Sequence, residues 1–134
     1  MIAAEDLMIG SIFWDDYGGY NVVTSINCNK VGEAPNTVCA KHIRGAAVGN
    51  FSCNDIKPIL LTPDVLEMLG FEKSKIVDKY YIIDNNIAVS IADDKIRVIK
   101  GNFVCQLVIA EIQFLHTLQN ICKVFGKDLK FKTT

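Results

Sequence analysis

The residues closest to a metal-binding pattern are Cys39 and His42, which are separated by two positions, with Cys28 upstream and Cys53 downstream. A structural zinc ion requires four thiolate or imidazole ligands that converge tetrahedrally. If residues 37–43 form a strand, Cys39 and His42 point to opposite faces and cannot converge. The pattern therefore favours separate core cysteines with no metal and no cofactor. It leaves open whether these four residues ever meet.

Nucleophilic catalysis would need a cysteine or serine beside a histidine and an orienting acid. His42 and His116 are the only histidines, and Cys122 falls on the predicted buried side of the helix that carries His116. The acidic pairs Asp15-Asp16 and Asp93-Asp94 fall in predicted turns, where solvated side chains are expected rather than two carboxylates facing one cleft. The sequence contains no Gly-x-Ser-x-Gly elbow and no phosphate-binding loop. We therefore predict that the protein is not an enzyme.

Three polar residues, His116, Gln119 and Asn120, occur at helical (i, i+3, i+4) spacing on the predicted outer side of the last helix. One interpretation is a recognition surface for a partner protein. The other is that His116 and Asn120 hydrogen-bond to neighbouring loops and hold the helix in place.

A second candidate interaction surface is aromatic. Trp14, Tyr17 and Tyr20 flank a turn that contains Asp15-Asp16, and aromatic side chains around a loop of a small barrel can stack on bases or hold a peptide. The two acids would repel phosphate, which counts against nucleic acid. The alternative interpretation is hairpin and core packing.

Composition is that of an ordinary globular domain. The chain has 134 residues, half of them apolar, and a formal net charge of −1. That charge predicts no general attraction to nucleic acid or to anionic lipid. The first ten residues lack the basic region of a signal peptide, no apolar run reaches the length needed to span a bilayer, and five cysteines in apolar surroundings fit a reducing, cytoplasmic compartment.

Hydrophobic periodicity predicts an α+β fold. Residues 1–60 contain short strand-like segments between turns and predict a small bent β-sheet or a Src-homology-like barrel. Residues 61–134 predict a short helix capped by Thr62, a four-stranded antiparallel meander and a covering C-terminal helix. The predicted strands of the meander are 80–84, 87–92, 95–100 and 103–109. Residues 128–134 either add one strand through Leu129 and Phe131 or fray.

The last helix is the element on which the prediction depends. Residues 111–125 place an apolar stripe on one side, and Gly126 stands where a helix C-cap is expected. The stripe consists of Ile112, Leu115, Leu118, Cys122 and Phe125. We expect this stripe to pack on the apolar face of the meander, because covering that face would outweigh any helix propensity term.

Three stretches resemble a family of small phage- and prophage-associated proteins of Bacteroides-type gut bacteria. They are the opening Asp6 to Ser11, the segment from Ile56 to Phe71 that contains Lys-Pro-Ile-Leu-Leu-Thr-Pro, and the His-x-Leu-Gln-Asn helix from Phe114 to Asn120. The chain departs from the family's pattern at Met8, where an arginine is usual, and at Cys122-Lys123, where the family tends to be aromatic. The glycine after the helix also comes one residue early. The resemblance implies a mobile-element origin and a cytoplasmic home in a bacterial host, and it brings no activity with it.

Together these observations predict a non-enzymatic binding or accessory protein that acts by contact with another protein, with a second copy of itself as one possible partner. The alternative is a nucleic-acid-binding module that uses the N-terminal half. Neither interpretation involves a membrane or a cofactor.

Overall fold

The computed structural model describes residues 2, 6–15, 19–27, 36–43, 48–83, 87–101 and 106–132. These residues form two antiparallel sheets and two helices, which confirms the α+β class, although the fold is mostly β. The chain divides into two compact units. The first is Met1–Ile59 with Leu115–Asn120, and the second is Leu60–Phe114 with Ile121–Thr134.

The N-terminal unit contains a four-stranded sheet in which each strand pairs with its neighbour in sequence. Its strands are β1 (Ile12–Trp14), β2 (Tyr20–Asn27), β3 (Thr37–His42) and β4 (Val48–Ser52). Residues 37–42 form the strand considered above, and Val38 and Ala40 are fully buried while Cys39 and Lys41 are not, as expected for the two faces of a strand. Within the described residues β1 and β4 are edge strands, so the sheet is open and the barrel alternative of the prediction is wrong.

The core of this unit lies on one face of that sheet. Phe13 meets Phe51 edge to face, with ring centroids 5.3 Å apart. The buried cluster around Phe13 consists of Ile2, Leu7, Val23, Val38, Ala40, Cys53 and Ile56. Large apolar side chains from the first strand and from residues 53–56 thus exclude water from the same face.

The second unit opens with the short helix that the sequence predicts, α1 (Pro63–Met68). The hydroxyl oxygen of Thr62 accepts a hydrogen bond from the backbone N–H of Val65 at 3.2 Å, which makes it the N-cap. Gly70 ends the helix with φ +98°, and the Phe71 N–H donates back to the Leu66 carbonyl at 3.0 Å.

The C-terminal sheet has five described strands in sequence order. They are β5 (Glu72–Lys73), β6 (Tyr80–Ile82), β7 (Ile87–Ala92), β8 (Lys95–Gly101) and β9 (Gln106–Ile112). The antiparallel meander is confirmed, and Asp93 and Asp94, both at positive φ, form the two-residue turn between β7 and β8. The sequence missed β5 because its two residues are both exposed and show no apolar alternation.

The last helix begins later than predicted. It is α2 (Leu115–Val124), and Glu111 and Ile112 belong to β9 instead. Cross-strand pairing decides this boundary, because Glu111 lies opposite Arg97 and forms an ion pair with it at 3.6 Å. Residues 113 and 114 also remain extended, since the Leu61 N–H donates to the Gln113 carbonyl at 2.9 Å.

The apolar stripe of α2 is confirmed at Leu115, Leu118 and Cys122, which are fully buried. Gly126 has φ +80° and follows the helix as predicted. However, Leu115–Asn120 belong to the N-terminal unit, whereas the sequence predicted that the whole helix covers the meander.

Residues 127–132 form no strand, so the additional strand is wrong over this described stretch. Leu129 and Phe131 are nevertheless buried, and the Lys132 N–H donates to the Met68 carbonyl at 2.8 Å. Neither described helix is long and apolar enough to span a bilayer.

Candidate functional site

Gln119 is fully buried, which makes the prediction of an outward-facing polar strip wrong for this residue. Its side-chain oxygen accepts from the Ile12 N–H at 2.8 Å, and its amide nitrogen donates to the Gly10 carbonyl at 2.9 Å. Because β1 is an edge strand of the described sheet, the Ile12 N–H faces no neighbouring strand, whereas Trp14 is bridged to Lys57. Gln119 supplies a partner for this N–H and fixes the helix to the edge of the sheet.

The other two members of the predicted strip are also turned toward the protein. Asn120 is half-buried and donates from its amide nitrogen to the Asp6 carbonyl at 2.7 Å, as the loop-anchoring interpretation predicts. His116 is 7% exposed, and burial lowers the pKa of its imidazole while the nearby charge of Asp6 raises it by a smaller amount. The strip is therefore mainly an anchor of α2, and as a partner surface it stays a prediction for Asn120 alone.

Trp14 and Tyr20 lie opposite each other on β1 and β2. Their ring centroids are 4.7 Å apart at 74°, and both side chains are half-buried. Backbone hydrogen bonds of 3.0 Å between Trp14 and Lys57, one in each direction, fix this end of β1. Each ring packs against the other with part of its surface, as the hairpin-packing interpretation predicts. Tyr17 lies outside the described residues.

Asp15 was predicted to be a solvated turn residue, and this prediction is wrong because its side chain is buried. One carboxylate oxygen accepts from the Gly19 N–H at 3.0 Å, and the other accepts from the amide nitrogen of Asn21 at 2.6 Å. His42 lies opposite Asn21 on the neighbouring strand, and its ring approaches Gly19 closely. The acid thus closes the turn, and sequence spacing alone does not show that role.

The cysteines do not form a metal centre where the structure describes them. The half-buried Cys39 donates its thiol to the Asn50 side-chain oxygen at 3.0 Å, and Cys53 is buried in the N-terminal core. No three histidine, cysteine, aspartate or glutamate side chains within the described ranges could hold a metal ion together. Cys28 lies outside those ranges. Cys122 is fully buried, so its thiol is not accessible as a nucleophile.

The sequence missed a run of three exposed apolar residues on β9, which is an edge strand of the described sheet. Leu107, Val108 and Ile109 are 68%, 52% and 37% exposed. Lys100 lies opposite Leu107, and its ammonium group sits 5.0 Å from the centre of the Phe125 ring, which is itself 42% exposed. The available sequence signal was the apolar run from Leu107 to Ala110, which reads equally well as a buried strand.

We compared the chain with models of known protein families, with curated proteins and with solved structures, and none of these matches it. The geometry of the described residues therefore carries the functional argument.

Proposed function

We propose that the protein is a non-enzymatic binding protein of phage or mobile-element origin that works in a bacterial cytoplasm by contact with other protein chains. The observation that carries this proposal is the exposed apolar run Leu107 to Ile109 on a sheet edge that pairs with no further strand among the described residues. An edge strand offers a row of backbone donors and acceptors, and another extended strand can pair with them.

The edge carries only part of the usual protection against such pairing. Exposed edge strands are commonly blocked by lysine, by proline, by inward-pointing charges or by a bulge. The seven residues of β9 include neither lysine nor proline. Their one charged side chain, Glu111, is paired with Arg97 near the C-terminal end of the strand. A bulge in β9 between Val108 and Ala110 locally distorts the ladder with β8 but leaves the apolar side chains exposed.

The occupant we propose is a second copy of the chain, paired antiparallel through β9. In a two-fold arrangement centred on Val108, each Leu107 faces Ile109 of the other copy, and the two Glu111 carboxylates lie apart. No like charges therefore oppose the contact. A strand pair with a few apolar side chains falls at the small end of specific interfaces, below about 1,200 Å², so we expect a dissociation constant of about micromolar magnitude.

Sedimentation equilibrium between about 1 and 300 µM tests this proposal, since that range brackets a micromolar equilibrium. The expected mass rises from 14.9 kDa toward twice that value with concentration. The variant Val108→Lys should remain monomeric throughout, because it places two ammonium groups face to face across the axis. The matched control Ile76→Lys changes a residue that is 84% exposed in a bend outside β9, and it should dimerise like the wild type. A wild-type monomer at the highest concentration, or equal loss in the control, would overturn the proposal.

The nucleic-acid alternative is less well supported by the geometry. Trp14 and Tyr20 contact each other, and the formal net charge of −1 gives no general attraction to phosphate. Retention on a heparin column that falls steeply with added salt would favour this alternative, whereas elution in the void volume would count against it.

A further inference from the structure

A cavity of about 570 Å³ lies within the C-terminal unit, beside the end of α1. The chain after α2 forms one side of it, held by the hydrogen bond from the Lys132 N–H to the Met68 carbonyl. Gly70, with its left-handed backbone, lines the cavity next to Lys132. The volume falls within the range of pockets that hold small organic ligands, roughly 300 to 1,000 Å³.

The walls of the cavity combine two kinds of surface. Leu69, Ile83 and Phe131 supply apolar groups, and the first and last of these are buried in the unit's core. Lys127, Lys130 and Lys132 line the same space, and each carries one positive charge. An apolar wall beside a cluster of cations suits a ligand that has both an apolar body and a negative charge.

The charge of these lysines is not cancelled locally. Asp128 is the single acid that lines the cavity, and its carboxylate is already paired with Lys123, which does not line it. Among the described residues, no acidic side chain lies within ion-pair distance of Lys127, Lys130 or Lys132. Lysines often collect near a helix C-terminus because they suit its dipole. The helix dipole explains why these lysines lie near the ends of α1 and α2. It does not explain why apolar side chains line the same space.

We infer that this cavity binds a small amphipathic organic anion, with an aromatic or short aliphatic body and one sulfonate, carboxylate or phosphate group. The body lies against Leu69 and Phe131, and the anionic group faces the lysines. The inference is independent of pairing at β9, because none of the cavity residues belongs to that strand.

The probe for the test is anilinonaphthalene sulfonate, which has an aromatic body and one negative charge. We expect one bound probe per chain by fluorescence titration, with amide NMR shifts confined to Gly70, Ile83 and residues 127–132. N-phenylnaphthylamine, which is the same body without the sulfonate, should bind at least about tenfold more weakly, and inorganic phosphate should not displace the probe.

The double variant Lys130→Gln/Lys132→Gln changes two exposed side chains and should weaken probe binding about tenfold. Its matched control, Lys73→Gln/Lys75→Gln, removes two exposed lysines elsewhere in the same unit and should bind like the wild type. Val108→Lys, the variant expected to stay monomeric, should also bind the probe normally, so failure of this inference and failure of dimerisation remain distinguishable.

Three results would overturn the inference. They are unchanged affinity in the lysine double variant, NMR shifts at β9 in place of the cavity, and equal binding of the uncharged analogue. Displacement of the probe by a short single-stranded oligonucleotide would assign the lysines to a nucleic acid and would equally overturn it.

Discussion

Gln119 and Ile12 are joined by a buried hydrogen bond of 2.8 Å although they lie 107 residues apart in the chain. The same amide also donates to the Gly10 carbonyl, so one side chain satisfies two backbone groups at the edge of the N-terminal sheet. This pair of bonds explains why the first part of α2 belongs to the N-terminal unit.

Replacing Gln119 by leucine should therefore destabilise the protein strongly. The substitution leaves the Ile12 N–H and the Gly10 carbonyl without the partner that Gln119 provides. Each loss costs roughly 1–3 kcal/mol, so we expect a decrease of about 2–6 kcal/mol in the free energy of unfolding. Urea denaturation, monitored by circular dichroism, measures this free energy of unfolding. Gln113→Leu, on an exposed side chain of the same sequence region, is the control and should change stability by less than about 0.5 kcal/mol. Equal effects of the two variants would contradict the anchoring role.

The burial of His116 predicts a pH dependence of stability. Its pKa is lowered in the folded protein, so the unfolded chain binds a proton more readily. The contribution of the neutral, buried imidazole to stability is fully present above about pH 7. It decreases as the pH falls through 6.5 toward the lower pKa of the folded state. Urea midpoints measured from pH 8 down to pH 5 should therefore fall, and His116→Gln should flatten that part of the profile.

Asp6 provides the control for this profile, because its negative charge raises the pKa of His116 and so opposes the effect of burial. Asp6→Asn should make the loss of stability at low pH steeper. A profile that His116→Gln leaves unchanged would assign the slope to other groups.

Local signals in the sequence predicted the elements whose causes are local. The strand at 87–92 was predicted with its observed ends because alternating apolar residues and the Asp93-Asp94 turn specify it. The start of α1 was predicted because Thr62 and Pro63 are adjacent and have defined roles at a helix N-terminus.

The sequence could not reveal features whose causes are distant. Gln119 looked like a surface residue because helical periodicity shows only which side is apolar, and its partner is an edge strand far away in the chain. Glu111 looked helical, but pairing with Arg97 across the sheet keeps it in β9. Asp15 was predicted to be solvated because its hydrogen-bond donors, Gly19 and Asn21, come near it only when the turn forms.

The N-cap of α1 gives a prediction of smaller size. Thr62→Ala removes the hydroxyl that accepts from the Val65 N–H, and we expect a loss of about 1 kcal/mol in the free energy of unfolding. Thr62→Ser keeps the hydroxyl and should be within a few tenths of a kcal/mol of the wild type. Chemical denaturation of the three proteins under one condition distinguishes them, and a full loss in the serine variant would show that the cap bond is unimportant.

The close approach of His42 to Gly19 gives a coupling that can be measured. A Cβ atom at position 19 would lie 2.5 Å from Nε2 and 2.8 Å from Cδ2 of His42, closer than non-bonded atoms tolerate. Gly19→Ala should therefore displace the ring and cost about 1–3 kcal/mol of stability. When His42 is also replaced by alanine, that clash is absent. Gly19→Ala should then destabilise the protein less than it does in the wild type, and the difference should exceed about 0.5 kcal/mol.

A residual cost of Gly19→Ala is expected in both backgrounds because the new Cβ would also lie 3.3 Å from a carboxylate oxygen of Asp15. Urea unfolding of the wild type, the two single variants and the double variant gives the coupling energy, and additivity of the two substitutions would show that the ring does not restrict this turn.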